Sequence, residues 1–178
     1  MKHILFYLFL GISTMVVFAQ KAQWINPAKV TFDSKTTYLY AQKDTSRLYM
    51  DVYLPQPTDK KLPCMIYVFG GGFMTGERDL KHQLPYYKTL VDSGFVVVAI
   101  DYRLGLKNQD EKSYRRPNVR RNAVNMAVED LFSATRYIVD NADKWNIDTA
   151  KIIISGSSAG AITVLQADYE LANRTALA

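Results

Sequence analysis

An apolar run leads directly into a Gly-x-Ser-x-Gly pentapeptide in the segment Lys151-Ile152-Ile153-Ile154-Ser155-Gly156-Ser157-Ser158-Ala159-Gly160. Residues 161–165 continue with small and apolar side chains in a helical pattern. The order of strand, tight turn and helix is the one in which a sharp turn presents a nucleophilic serine. We therefore predict that Ser158 points its hydroxyl away from the top of a sheet, with a helix N-terminus behind it. The alternative interpretation is an ordinary Ser/Gly loop.

Buried strands and helices alternate along the rest of the chain. Residues 64–69 and 95–100 are continuous apolar runs, which are typical of strands buried on both faces, and residues 36–41 are also β-rich. Residues 47–55 alternate, which predicts a half-buried antiparallel strand near a sheet edge. Helical spacing predicts helices over residues 84–91 and 124–141. This alternation implies an α/β fold with a mainly parallel sheet and helices on both faces.

The first 19 residues have the pattern of a secretory signal peptide. Lys2 and His3 form a short positive region, and residues 4–18 are almost entirely apolar. Val17-Phe18-Ala19 supplies the small residues of a cleavage site, so we expect cleavage before Gln20. The apolar stretch is shorter than the roughly 20 residues that span a bilayer. We therefore expect an exported protein, periplasmic or secreted, with no stable membrane anchor after cleavage.

The composition is that of one globular domain, with 48% hydrophobic and 22% charged residues among 178. The net charge is +5, and its most concentrated part is the group Arg115, Arg116, Arg120 and Arg121. No aromatic residues alternate with these arginines on a shared face, so we expect a solvated loop and helix start, and no nucleic-acid partner. The single cysteine, Cys64, lies in an apolar run and is predicted to be a buried, inert thiol.

A second glycine-rich stretch, Phe69-Gly70-Gly71-Gly72-Phe73-Met74-Thr75-Gly76, follows the first long apolar run. It fits neither of the glycine patterns that cradle phosphates at the start of a helix. Its backbone N–H groups can instead form an oxyanion hole together with the N–H of Ala159. Both glycine stretches follow parallel strands, whose carboxyl ends meet at one edge of a sheet. We therefore expect this loop and Ser158 to converge there.

With these residues the chain resembles the α/β-hydrolase superfamily, and within it the carboxylesterase and lipase branch. The resemblance covers about residues 45–170 and rests on five segments in family order: residues 51–55, 70–76, 101–104, 127–131 and 156–160. It implies that Ser158 is the nucleophile, that Gly71, Gly72 and Ala159 donate to the oxyanion, and that residues 101–103 support the floor of the site. Phe69 stands where hormone-sensitive-lipase-like members carry His. Ser157 stands where type-B carboxylesterases usually carry Glu, so the subfamily stays open.

The family's triad order is Ser, then Asp or Glu, then His. The segment after Ser158 contains Asp168 and Glu170 but no histidine, and Asp168 is about three helical turns away. His3 lies in the signal segment and His82 precedes the serine, so we expect neither to be the base. The resemblance thus implies that residues 20–178 are the N-terminal part of an α/β-hydrolase domain, truncated after the nucleophile helix. Alone, this part should be almost inactive and should aggregate through an open strand edge.

Four other charged residues are predicted to have structural rather than catalytic roles. Glu129 and Asp130, on the predicted long helix, are interpreted as surface or packing charges. Glu77 and Arg78 could line the entrance of the site, but a plain loop is the favoured interpretation.

These features predict an exported serine hydrolase that cleaves carboxylic esters through an acyl-enzyme at Ser158. Its substrate would be a small-molecule or carbohydrate-linked ester, and we expect no cofactor and no metal. A serine peptidase on the same fold is one alternative, although such enzymes usually carry an additional propeller domain. A non-catalytic α/β-hydrolase-like binding domain is the other, but its usual mark is a lost nucleophile, and Ser158 is intact.

Overall fold

The computed structural model describes residues 26–173, and the signal peptide predicted at residues 1–19 lies outside this range. A five-stranded sheet forms the centre of the molecule. Its strands are β1 (Lys35–Lys43), β2 (Ser46–Tyr53), β3 (Leu62–Val68), β4 (Val96–Ile100) and β5 (Ile147–Gly156). Their order across the sheet is β1-β2-β4-β3-β5.

The sheet is mixed, with parallel pairing on the side that carries the glycine-rich turns. β3 pairs in parallel with both β4 and β5, whereas β2 pairs antiparallel with both β1 and β4. All of β4, and β3 from Cys64 to Val68, are buried, as expected for continuous apolar runs in the middle of a sheet. The carboxyl ends of β3, β4 and β5 therefore meet at one edge. This arrangement confirms the predicted α/β architecture.

Helices cover both faces of the sheet. They are α1 (Leu84–Asp92), α2 (Glu111–Tyr114), α3 (Pro117–Asp140) and α4 (Ala159–Ala172). On one face, the Tyr87 ring of α1 packs 5.2 Å from the Tyr67 ring of β3. On the other face α3 contacts α4, and the Trp145 ring lies 5.2 Å from that of Tyr38. Of the helices in the described range, none has the length and apolar character needed to cross a membrane.

β2 differs from the half-buried strand that its alternation predicts. The face that includes Met50 is buried as expected, but Asp51 and Tyr53 on the opposite face are fully buried too. The Tyr53 ring lies 5.5 Å from that of Tyr87 on α1, and Arg78 reaches Asp51 from the loop before α1. The second face is covered because distant parts of the chain fold over it. A local hydrophobic pattern does not encode such a contact.

Cys64, which the sequence predicts to be an inert thiol, and Trp145 both lie in the core. Cys64 is fully buried in β3, and burial raises the pKa of its thiol to about 12. The thiol is therefore protonated and unreactive at neutral pH. Trp145 is buried beneath Tyr38 and Tyr137, so it holds the turn before β5 against the sheet.

Candidate active site

Ser158 occupies the tight turn between β5 and α4 and is exposed to solvent. Its backbone has φ 49° and ψ −115°, a combination that L residues rarely adopt. Holding a non-glycine residue in such a region costs about 1–3 kcal/mol, so the surrounding structure must impose it. The next residue, Ala159, is the first of α4. The pentapeptide thus forms a sharp and strained turn that ends at a helix N-terminus.

Close packing of backbone on backbone imposes this turn. A Cβ on Gly160 would overlap the carbonyl oxygen of Val68 at the end of β3, and one on Gly156 would lie 2.5 Å from the carbonyl carbon of Gly160. The N–H of Ser157 donates to the same Val68 oxygen over 3.2 Å. The start of α4 is therefore held against the carboxyl end of β3.

The glycine loop, residues 70–76, leaves β3 at that point and touches the turn. A Cβ on Gly70 would lie 3.1 Å from the Cβ of Ser158 and 2.9 Å from the carbonyl oxygen of Ser157. The 2.9 Å distance to a backbone oxygen is too short for a Cβ, so glycine allows the two segments to approach this closely. The two glycine-rich stretches singled out from the sequence therefore lie side by side.

The glycine loop is a compact turn that leaves N–H groups free. Gly71 and Gly72 have φ of 133° and 64°, and the N–H groups of Met74 and Thr75 both donate to the Gly71 carbonyl over 3.0 Å. The N–H groups of Gly71 and Gly72 themselves donate no hydrogen bond within the part of the chain that the structure describes. The N–H of Ala159 lies in the first turn of α4 and has no acceptor in the helix. None of the three N–H groups therefore has an acceptor within residues 26–173.

The segment after β4 supports the glycine loop. The Tyr102 hydroxyl donates to the carbonyl oxygen of Phe69 over 3.0 Å, and the two rings stack at 4.5 Å. The Leu106 N–H donates to the carbonyl oxygen of Phe73 over 2.9 Å. These buried contacts brace the loop from below, which is the position that the resemblance implies for residues 101–103.

Arg103 ties this segment to α3. Its backbone N–H donates to Oδ2 of Asp130 over 2.8 Å, and its guanidinium binds the same carboxylate and that of Glu129. Asp130 is fully buried and also pairs with Lys43 over 3.2 Å. Burial lowers the pKa of Arg103, but these carboxylates outweigh it and the net pKa is raised. Asp130 is thus a buried packing charge, and Glu129 is an exposed surface charge, as the sequence interpretation allowed.

Arg78, which the sequence placed in a loop or at the entrance of the site, makes ion pairs that the sequence did not predict. Its Nη1 lies 2.7 Å from Oδ2 of Asp101, and its Nε lies 3.1 Å from Oδ1 of Asp51. The favoured interpretation as a plain loop is therefore wrong for Arg78. A signal was present, because Asp51 stands in a predicted strand and Asp101 directly follows another, and a buried carboxylate needs a cation.

No histidine lies beside Ser158 in the described range. His82 is the one histidine among residues 26–173; it is exposed in the loop before α1, and no hydrogen bond joins it to Ser158. Asp168 is exposed on α4, and the buried Glu170 accepts a hydrogen bond from Gln166 over 2.9 Å. Across the same residues, no cluster of three or more His, Cys, Asp or Glu side chains could hold a metal ion.

A mixed sheet with a strained serine turn after β5 and a glycine loop after β3 defines the α/β-hydrolase class. A solved structure of a thermophilic esterase from Thermogutta terrifontis superposes on the chain with a TM-score of 0.57 and 26% sequence identity. The superposition covers 71% of this chain and 41% of that esterase. The serine turn and glycine loop thus lie on a scaffold shared with an esterase.

Sequence comparison finds esterases among the curated relatives of the chain. Acetylcholinesterase 1 from Caenorhabditis briggsae is 34% identical over 119 residues, which are 66% of this chain and 18% of that protein. Fumonisin B1 esterase from Sphingopyxis macrogoltabida is 32% identical over 120 residues, which are 64% of this chain and 21% of that protein. The chain therefore spans about a fifth of the length of these curated relatives.

The profile of the BD-FAE family matches residues 50–174, which is more than half of the chain. The chain belongs to the BD-FAE family, in the esterase branch of the α/β-hydrolase superfamily. The matched range contains both the glycine loop and the serine turn.

Proposed function

We propose that this protein is an exported serine hydrolase that cleaves carboxylic esters through an acyl-enzyme at Ser158. The observation that carries the proposal is the contact between two distant segments, in which Gly70 lies against Ser157 and Ser158. The exposed serine on its strained turn lies against the start of the loop that carries the N–H groups of Gly71 and Gly72. These are parts that acyl transfer requires.

The chemistry proceeds in two steps. The Ser158 oxygen attacks the ester carbonyl carbon, and negative charge develops on the former carbonyl oxygen. The N–H groups of Gly71, Gly72 and Ala159 donate to that oxygen, and one such donor typically contributes about 2.7–4 kcal/mol to lowering the barrier. The alcohol then leaves with a proton, and the acyl group stays on Ser158. Water attacks this acyl-enzyme, releases the carboxylic acid and restores the serine.

The base that accepts the Ser158 proton, and the carboxylate that orients it, are assigned to polypeptide outside the 178 residues. His82 is exposed in the loop before α1, and no hydrogen bond joins it to the serine. Asp168 lies ten residues along α4, which is about 15 Å at 1.5 Å per residue. Asp168 is therefore too far along α4 to orient a base beside Ser158, and His82 makes no hydrogen bond to the serine.

The names of the related proteins support an ester as substrate. Two of them are an acetylcholinesterase and a fumonisin B1 esterase, and the structural relative is an esterase. For this protein we assign the same bond type, in a small-molecule or carbohydrate-linked carboxylic ester. The chemistry uses no cofactor and no metal.

A non-catalytic binding domain is the second candidate, and the lack of a histidine beside Ser158 in the described range favours it. The backbone of Ser158 argues against it. A serine held at φ 49° on a sharp turn between a strand and a helix is the arrangement that presents a nucleophile. A serine peptidase would use the same serine on an amide bond.

A fluorophosphonate probe tests the nucleophile in the full-length protein. Labelling should occur on wild type, disappear in Ser158→Ala and persist in Ser157→Ala, the matched neighbour in the same turn. Turnover of p-nitrophenyl acetate should likewise be lost in Ser158→Ala and retained in wild type and Ser157→Ala. Labelling that survives Ser158→Ala refutes the nucleophile, and a full-length protein that neither labels nor turns over ester supports the binding domain.

Export is tested separately by N-terminal sequencing of the mature protein from the secreting cells. We expect the mature chain to begin at Gln20. A mature chain that begins at Met1 and stays in the cytoplasm refutes export without touching the ester chemistry.

A further inference from the structure

Two carboxylates that the proposed chemistry does not use share one guanidinium. Nε of Arg78 lies 3.1 Å from Oδ1 of Asp51 on β2, and its Nη1 lies 2.7 Å from Oδ2 of Asp101 after β4. Both aspartates belong to segments on which the resemblance to esterases rests. Arg78 therefore joins two strands of the sheet to the loop that follows β3.

Arg78 stands just after the point where the glycine loop closes on itself. A Cβ on Gly76 would lie 2.5 Å from the carbonyl oxygen of Gly70 and 2.6 Å from Cδ2 of Phe69, so the loop returns to its own start. The first end of the loop continues the backbone of β3. The second end depends on Arg78, whose carbonyl oxygen also accepts the Tyr87 hydroxyl of α1 over 3.0 Å.

The anions that bind Arg78 are themselves held in place. Asp51 is fully buried, accepts the Thr37 hydroxyl over 2.6 Å and pairs with the Lys35 ammonium over 2.9 Å. Burial raises the pKa of Asp51, but Thr37, Lys35 and Arg78 together outweigh it, and the net pKa lies below its ordinary value. Asp51 is therefore charged at neutral pH and presents a fixed anion to the guanidinium.

Because partly buried ion pairs such as these add little stability, the place of this network in the fold points to another role. Apolar side chains of the same volume would stabilise the fold equally well or better. The hydrogen bond from Nη1 to Asp101 instead fixes the direction of the guanidinium, while the charge of Asp51 holds Nε 3.1 Å from its Oδ1. Here that direction is imposed on the end of the glycine loop, two residues after Gly76.

We propose that Arg78 is a positioning residue for the oxyanion hole. Held by Asp51 and Asp101, it fixes the closing end of the glycine loop and thereby aims the N–H groups of Gly71 and Gly72. The inference rests on the proposed function of Ser158 and this loop. Because charge develops on the oxygen only in the transition state, Arg78 acts on the rate of acylation more than on substrate binding.

The test compares Arg78→Ala, Arg78→Lys and Asp101→Asn with wild type in the full-length protein. The readouts are kcat and KM for p-nitrophenyl acetate, and the inhibition constant of a trifluoromethyl ketone, which mimics the tetrahedral intermediate. Arg78→Ala should lower kcat about 10- to 100-fold, because a small misplacement of donors has effects of this size. KM should stay within about twofold. The inhibition constant should rise by the factor that kcat falls.

Arg47→Ala is the matched control. The guanidinium of Arg47 lies 5.7 Å from the centre of the Tyr49 ring, and that of Arg78 lies 5.9 Å from it, but Arg47 is exposed and outside the network. Arg47→Ala should leave kcat and the inhibition constant unchanged. The kcat of Arg78→Lys should lie between those of Arg78→Ala and wild type, because an ammonium keeps the charge but not the planar arrangement of donors.

A folded Arg78→Ala protein with wild-type kcat and inhibition constant overturns the inference, even if its melting temperature falls. If Arg78→Ala does not fold, Asp101→Asn decides, because it removes one anion and keeps the side-chain size. Unchanged kcat in that folded variant also overturns the inference. Ser158→Ala is assayed in parallel. Activity that survives it refutes the proposed function, whereas activity that needs Ser158 and ignores Arg78 refutes the positioning role alone.

Discussion

Two residues at the candidate site hold backbone conformations that tertiary contacts impose on them. Ser158 and Phe73 have φ of 49° and 60°, values that are uncommon for residues other than glycine. The Phe73 ring packs edge-on against Tyr102 at 6.2 Å, and Gly160 brings the Ser158 turn against β3. The strain is therefore sustained by packing, and single substitutions in that packing should release it.

Gly160→Ala should disrupt the serine turn, because the new methyl group would overlap the carbonyl oxygen of Val68. We expect the free energy of unfolding to fall by about 1–3 kcal/mol, the usual effect of overpacking. Fluorophosphonate labelling of Ser158 should be lost as well. Urea unfolding and labelling of the full-length protein measure the two effects.

Gly94→Ala is the control for Gly160→Ala, because it introduces backbone strain without steric overlap. Gly94 has φ 87°, but a Cβ there meets no atom within 4 Å. This control should lose some stability and keep its labelling. Equal labelling of the two variants would show that the contact between Gly160 and Val68 is not needed for a reactive serine.

Asp51 should make stability depend on pH in the acid range. Its net pKa lies below the ordinary value of 3.8, so its contribution is present above that pH and is lost as pH falls through the lower folded pKa. The free energy of unfolding should therefore fall more steeply below pH 3.8 in wild type than in Asp51→Asn. Urea unfolding at several pH values between neutral and strongly acidic measures this slope.

Asp101 changes the free energy of unfolding in the opposite direction to Asp51, and it does so at higher pH. Burial raises its pKa, and Arg78 offsets only part of that effect. Its contribution to stability is present below pH 3.8 and is lost as pH rises through the higher folded pKa. For Asp51, the contradicting result would be equal slopes of the free energy of unfolding against pH, below pH 3.8, in wild type and Asp51→Asn. Such a result would mean that Asp51 does not stabilise the fold as a charged carboxylate.

At the scale of elements, β5 and α4 form the least covered part of the described fold. β5 pairs with β3 on one side, and no other described strand pairs with its opposite edge. Large apolar side chains on these two elements are exposed: Ile153, Ile162, Leu165, Tyr169 and Leu171. Ile162, Leu165 and Tyr169 share one face of α4, because they are three, four and seven residues apart. Such a face beside an open strand edge favours association.

We expect the 178-residue chain to self-associate through this face. The double variant Leu165→Lys with Tyr169→Lys should shift it towards monomer, because charged groups do not bury in an apolar contact. Leu171→Lys is the control, since it lies on the opposite side of the same helix from Ile162. Sedimentation velocity measures the distribution. The expectation fails if the double variant and the control associate to the same extent.

At the scale of the whole molecule, the described residues contain the nucleophile and the oxyanion donors of the proposed reaction, but no histidine beside them. A serine without a base attacks an ester slowly, because its hydroxyl stays protonated. Oxyanion stabilisation and binding alone still give about 10³–10⁴-fold acceleration over water. The chain should therefore have a small activity of its own.

We predict that the 178-residue chain turns over p-nitrophenyl acetate at least about 100-fold more slowly than the full-length protein, because the base is missing. The residual rate should fall further in Ser158→Ala. Initial rates at equal protein concentration measure both. Equal rates for the two lengths would mean that the base lies within these residues, and His82→Gln would then be the variant to examine.

The local pattern predicted most of the elements and the position of the serine turn. Apolar runs indicated β3 and β4, helical spacing indicated α1 and α3, and the pentapeptide indicated the turn at Ser158. These predictions succeeded because each depends on residues close together in the chain. The second buried face of β2 and the pairing of Arg78 were missed, because both depend on segments that meet only after folding.

By itself the sequence determined the α/β fold class, the order of the elements and the residue types at the turn, since periodicity and glycine placement act locally. The sequence also predicted that the glycine loop and Ser158 converge, but only the tertiary structure decided that Gly70 makes the contact, and that Asp51 and Asp101 meet at Arg78. The physical reason is that both are contacts between residues far apart in the chain. The pairing of strands and the packing of helices decide which distant side chains meet. The spacing of residues along the sequence does not specify those contacts.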